Sequence, residues 1–163
     1  MPSALKIGLD IEQVKNLIIS PVLKKINLYS ESAVNLIIGT AAQESQFKYI
    51  KQLGGGPALG LFQMEPNTHD DIWDNYLAYR KDLASKVRAL ATQKLFFDHA
   101  ADEMIGNVYY AAAMCRIHYL RAPMALPDAD DIEGMANYWK TFYNTVHGAG
   151  TVDEFIRHYP HVH

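Results

Sequence analysis

Ser30-Glu31-Ser32-Ala33-Val34-Asn35-Leu36-Ile37-Ile38-Gly39-Thr40-Ala41-Ala42-Gln43-Glu44-Ser45 is the stretch whose pattern fixes the fold class. Ala33, Leu36, Ile37, Thr40, Ala41 and Glu44 recur at helical spacing and so share one side of a helix. Ser30 or Ser32 starts it, because a short hydroxyl accepts from the free N–H groups of a first turn. The apolar stripe ends on a carboxyl group. Glu44 follows Ile37, Thr40 and Ala41 by seven, four and three residues, so it lies at the buried edge of the helix end.

Working outward, Asp10 caps an earlier helix through Ile11, Val14, Leu17 and Ile18, which Pro21 breaks or kinks. After Glu44, residues 48–62 do not read as helix. Gly54-Gly55-Gly56-Pro57 and then Gly60 mark a glycine-rich loop or a small strand excursion. Asn67 or Thr68 caps a third helix holding Ile72, Trp73, Tyr76 and Leu77, and one or two more lie between Asp82 and Phe97. A long helix from about Glu103 to Tyr119 is apolar nearly all round, which suits the centre of a helical domain. Pro123 and Pro127 end it. Asp130 or Asp131 opens the next helix, through Ile132, Met135, Trp139 and Tyr143, which Gly148-Ala149-Gly150 stops. Thr151 caps a last short helix with Phe155 and Ile156. The pattern predicts a mostly α fold of about seven helices in a single domain over residues 1–163, with little or no sheet.

Composition narrows the function classes. Hydrophobic residues make up 49% and charged residues 20%, which describes a globular chain rather than a disordered one. The net charge of −3 gives no basic footprint for nucleic acid. No stretch approaches the roughly 20 apolar residues of a membrane span. The opening Met1-Pro2-Ser3-Ala4-Leu5-Lys6 does not read as an export signal. The one cysteine, Cys115, sits in the apolar run Ala111-Ala112-Ala113-Met114-Cys115 and reads as a small buried side chain. No cofactor is indicated. His158, His161 and His163 cluster near the end without a carboxylate or cysteine framework, so no metal site is expected.

A carboxyl group at the edge of an apolar stripe, next to a loop able to fold over it, has the makings of a general acid, since burial disfavours its charged form. The alternative is a solvated glutamate at a helix end. The neighbouring segments favour the first. Ala41-Ala42-Gln43-Glu44-Ser45-Gln46-Phe47 and Pro57-Ala58-Leu59-Gly60-Leu61-Phe62-Gln63-Met64-Glu65-Pro66-Asn67-Thr68 resemble the signature of soluble lytic transglycosylases and goose-type lysozymes. Asn107 through Leu120 resembles that family's Asn-Ile-x-x-Gly-Ala-x-Tyr-Leu helix. Phe142-Tyr143-Asn144 with Gly148-Ala149-Gly150 resembles its Ala-Tyr-Asn-Ala-Gly segment. Order and spacing agree from about residue 33 to 150.

The resemblance implies a lysozyme-like domain whose glycine-rich loop lines an active-site cleft. It implies Glu44 as the catalytic acid and peptidoglycan as the substrate, cleaved at the β-1,4 bond between N-acetylmuramic acid and N-acetylglucosamine. It implies substrate contacts from Ser45, Phe62, Gln63, Met64, Tyr143 and Asn144, with the Tyr143 hydroxyl close to the acid. The residues themselves leave plainer roles open: a Ser45 hydroxyl bonded to its own helix, a core Met64, a packed Tyr143 ring. Phe142 and Thr145 replace small residues of the family pattern, and Val146-His147 displace its Gly and Pro, which puts the placement of Tyr143 in question. Trp73 and Trp139 fit core packing or sugar stacking.

Two outcomes after protonation stay open. An inverting hydrolase needs a second carboxylate roughly 6.5–9.5 Å from the acid, and Glu65, Asp70, Asp71 and Asp74 are the candidates. A lytic transglycosylase needs only the one acid/base, and this outcome is preferred. Rival readings are a wall-docking or structural module of a phage particle that has lost turnover, and an enzyme acting on chitin or chitosan. The expected lack of an export signal goes with a phage enzyme, carried in the virion with virion or tail proteins as partners, or released at lysis.

Overall fold

Four residues stand where the sequence asks for a cap, and each side chain accepts a backbone N–H of the helix it opens. Asp10 takes that of Gln13 at 3.0 Å, Ser30 that of Ala33 at 3.0 Å, Asp131 that of Gly134 at 2.8 Å and Thr151 that of Glu154 at 3.2 Å. The structure, a computed structural model, describes residues 5, 7–144 and 148–160; Thr145, Val146, His147, His161 and His163, and most of the opening segment, lie outside the described residues. The chain is mostly helical: α1 (Ile11–Val14), α2 (Ser20–Lys25), α3 (Glu31–Ser45), α4 (Pro66–Asn75), α5 (Lys81–Arg88), α6 (Gln93–His99), α7 (Glu103–Gly106), α8 (Val108–Leu120), α9 (Ile132–Trp139) and α10 (Val152–His158).

Three boundaries differ from the sequence expectation. A π-helical turn, Lys15–Ile19, joins α1 to α2, so the chain continues helically through Pro21 instead of breaking. Pro21 falls in the first turn of α2, and the wider turn ahead of it accommodates the missing N–H. Helix α4 starts at Pro66, not at Asn67 or Thr68, with proline's fixed φ in place of a side-chain cap. The expected helix from Glu103 to Tyr119 is divided at Asn107, whose backbone is extended (φ −103°, ψ 90°). Asn107 is itself a cap. Its Oδ1 accepts from Tyr110 N at 3.0 Å, and its amide nitrogen donates to Leu90 O at 2.7 Å and to Glu103 Oε2 at 3.0 Å.

Helix α8 occupies the middle. Tyr110 through Ile117 are all buried, and the helix touches the Lys15–Ile19 turn, α2, α3, α4, α5 and α7. Its one buried cation, Arg116, reaches the Leu28 carbonyl at 3.1 Å. Helix α3 lies against α8, α9 and α10. Its end is sharp because Gln46 (φ 52°) and Phe47 (φ 57°) are both left-handed. The chain turns away immediately after Ser45 and leaves Glu44 on the last helical turn.

Among the described residues there is no strand. The segment between α3 and α4 holds a 3-10 turn at Leu53–Gly55 and isolated antiparallel bridges, Lys51 to Leu59 and Leu59 to Met64. Gly60 anchors it. Its φ is +77°, its N–H donates to Ile50 O at 2.8 Å, and a Cβ there would fall against the Met104 carbonyl oxygen. No helix among the described residues is long and apolar enough to cross a membrane.

Candidate active site

The end of α3, the segment leading into α4, the inner face of α8 and the chain from Trp139 to Glu154 surround a cavity of about 730 Å³. Glu44 is on its wall. Burial raises the Glu44 carboxyl from 4.5 to about 7, outweighing the opposing pull of a hydrogen bond from Trp139. That bond runs from the indole Nε1–H to Glu44 Oε1 at 2.9 Å. The carboxyl is therefore about half protonated at neutral pH, with one oxygen held in place, so it can give a proton and take one back.

Trp139 is fixed by its surroundings. The indole is fully buried, lies 5.4 Å from the Phe155 ring, and is crossed by the backbone of Gly150. A Cβ on Gly150 would come within 2.6 Å of the indole Cη2. The next residue, Lys140, ties that glycine segment down. Its ammonium donates to Asn144 Oδ1 at 2.7 Å, Gly148 O at 2.9 Å and Gly150 O at 2.7 Å. Three donors thus meet three acceptors. Sequence reading passed over both roles. For Trp139 a signal existed, since a tryptophan on a buried face needs an acceptor for its N–H. For Lys140 there was none, because its partners are backbone carbonyls downstream.

Of the residues expected to contact substrate, Ser45, Gln63, Met64, Tyr143 and Asn144 line the cavity with Glu44. Phe62 does not: its ring is 1% exposed and packs in the core. What Phe62 contributes is its carbonyl, which accepts the Tyr143 hydroxyl at 2.6 Å. Tyr143 follows α9 in a π-helical turn, Lys140–Asn144, and its ring stacks on Tyr119 at 5.2 Å. The Ser45 hydroxyl donates to Ala41 O at 3.1 Å, the plainer of its two expected roles. Gln63 is left-handed (φ 51°) and donates its amide to Gly60 O at 2.9 Å. Asn144 serves Lys140 through its Oδ1. Phe142, the bulky departure from the family pattern, turns to Tyr138 at 4.7 Å and is not on the cavity wall.

The second-carboxylate candidates separate cleanly. Glu65 lines the cavity, whereas Asp70, Asp71 and Asp74 do not. Asp70 meets His69 Nδ1 at 2.9 Å, and Asp71 meets Arg121 at 2.7 Å. A carboxylate not considered from sequence, Glu154, also reaches the cavity and accepts from Gln43 Nε2 at 3.3 Å. Its place three residues after Thr151 reads as part of a helix cap, which conceals it. The His158 ring is taken up by Gln43 Oε1 at 2.7 Å. Among the described residues, no group of three or more His, Cys, Asp or Glu is placed to hold a metal ion. Trp73 is a packing residue: it lies 5.3 Å from Phe96 and donates to the Tyr110 hydroxyl at 2.8 Å. Cys115 is fully buried, and burial pushes its thiol well up.

The chain matches no family model, no curated protein and no solved structure.

Proposed function

We propose that the cavity is the active site of a peptidoglycan-cleaving muramidase of the lysozyme-like class, with Glu44 as its acid. The observation that carries this reading is a cavity-wall carboxyl held at about 7 by burial and steadied by the Trp139 N–H. The resemblance of the segments around Glu44, Gln63 and Tyr143 to lytic transglycosylases supplies the substrate class. In this reading the loop carrying Gly54, Gly55 and Gly56 forms one side of the cleft.

Glu44 gives its proton to the glycosidic oxygen as the C1–O bond breaks, so the leaving sugar departs as a neutral alcohol. The carboxylate left behind keeps the Trp139 hydrogen bond. It then takes the proton from the muramoyl 6-hydroxyl as that oxygen bonds to C1, closing a 1,6-anhydro ring. The proton balance returns to its start with one acid/base. A hydrolytic second reading draws on Glu65 and Glu154, the two further carboxylates on the cavity wall, either of which is the right kind of group to activate water.

The test is product analysis on purified sacculi, with Glu44→Gln as the control. An anhydromuramoyl end supports the transglycosylase, and a reducing muramic acid end supports the hydrolase. Release of chito-oligosaccharides without muropeptides moves the substrate to chitin. Full activity in Glu44→Gln overturns the assignment of the acid. Sacculus binding without any release of fragments points instead to a wall-docking module, as in a phage particle; virion-borne and lysis roles are both compatible with the muramidase.

A further inference from the structure

His118 lies on α8 with its ring on the cavity wall, edge-on to Tyr143 at 4.9 Å. Its Nδ1 is 3.2 Å from Arg121 Nη2. A guanidinium has no acceptor, so Nδ1 must be the acceptor of that bond. The neutral ring then carries its one proton on Nε2. Burial and the neighbouring Arg121 charge hold the ring down at about 4, so it is neutral at ordinary pH. Arg121 is in turn fixed to Asp71 Oδ2 on α4 at 2.7 Å. Among the described residues Nε2 has no protein partner, yet it is not one of the closed-off polar atoms, a condition that only Arg121 Nε meets. An oriented N–H donor therefore opens on the cavity with nothing to bond. Thr68, one turn before Asp71 on α4, lines the same cavity and offers a hydroxyl beside it.

We infer that His118 is a substrate-binding residue whose Nε2–H, aimed by Arg121, donates to an uncharged oxygen of a bound amino sugar such as an acetamido carbonyl. A neutral donor suits this cavity, because a sugar oxygen carries no charge to repay burying a cation. The inference rests on the carbohydrate reading of the cavity but not on Glu44 being the acid.

The experiment measures binding of tri-N-acetylchitotriose to wild type, His118→Phe and His118→Gln by calorimetry. The phenylalanine keeps the ring against Tyr143 and removes the donor; the glutamine restores an N–H near the Nε2 position. The expected result is about fivefold to tenfold weaker binding for His118→Phe, the loss of one neutral hydrogen bond, and recovery by His118→Gln. Nitrogen NMR of the histidine ring should show protonated Nε2 and unprotonated Nδ1, with the Nε2 resonance moving as sugar is added. Equal affinity of wild type and His118→Phe, or an Nε2 resonance indifferent to sugar, overturns the role of His118. Absence of binding by wild type overturns the carbohydrate reading with it. Sugar binding intact but cleavage unaffected by Glu44→Gln overturns only the catalytic assignment.

Discussion

Replacing Glu44 by glutamine should make the protein more stable above neutral pH and leave it unchanged in acid. The amide oxygen can still accept from the Trp139 N–H, so the packing stays and only the ionisation is lost. In the wild type the folded carboxyl titrates at about 7 against 4.5 in the unfolded chain. The folded state therefore binds the proton more tightly. As pH rises from 4.5 to about 7 the unfolded chain releases its proton first, and wild-type stability falls across that window and levels off above it. At about 1.4 kcal/mol per pH unit, the whole loss comes to about 3 kcal/mol, a sizeable part of the roughly 5–15 kcal/mol that holds a domain together. Glu44→Gln has no proton to lose and escapes the penalty. Urea unfolding followed by circular dichroism, at pH 4 and pH 8 and fixed ionic strength, should show the two proteins within about 1 kcal/mol at pH 4 and the variant ahead by about 2–3 kcal/mol at pH 8. A variant no more stable than wild type at pH 8, or ahead by the same margin at both pH values, would refute the idea that Glu44 is ionised at a cost in the fold. The measurement needs no substrate, so it tests the acid independently of what the acid does.

The same geometry sets three further expectations. Trp139→Phe removes a hydrogen bond worth about 1.5–3 kcal/mol to the carboxylate, which should raise Glu44 by about one to two pH units; a carbon NMR titration of its carboxyl that stays at about 7 or falls would contradict this. Lys140→Met frees the carbonyls of Gly148 and Gly150, so amide exchange along that segment should quicken about tenfold or more while α8 keeps its protection; unchanged exchange there would show that the ammonium is not the tether. Gly60→Ala combines a left-handed backbone with a clash against the Met104 carbonyl and should cost at least about 2 kcal/mol in urea unfolding, and a cost near zero would mean the turn can relax.

What the sequence made readable was local. Asp10, Ser30, Asp131 and Thr151 could be identified as caps because cap and partner are only three residues apart. The stripe ending at Glu44 was readable because helical spacing alone puts its members on one side. Asn107 escaped because it lies inside an unbroken apolar run, and its reasons for interrupting the helix, Leu90 O and Glu103, sit on other elements. The site shows the same division. Gln63 and Tyr143 could be picked out by motif, but Trp139 meets Glu44 across 95 residues of chain. Asp70 and Asp71 could not be dismissed in advance, since their commitment to His69 and Arg121 depends on how α4 meets α8. Phe62 shows the limit of a motif, which names a position without saying whether its ring or its carbonyl faces the site.

The π-helical turn at Lys140–Asn144 makes this part of the chain sensitive to length more than to composition. Such a turn holds one residue more than an α turn would. Deleting the exposed Thr141 would let the helix relax to ordinary winding and rotate the residues downstream by about 100°. Tyr143 would swing off Tyr119 and the Phe62 carbonyl, and Asn144 off Lys140, although no residue that lines the cavity had been touched. A single-codon deletion there should therefore cost more than most substitutions nearby. In any variant of this chain, the count of residues between Trp139 and Tyr143 is worth checking before their identities.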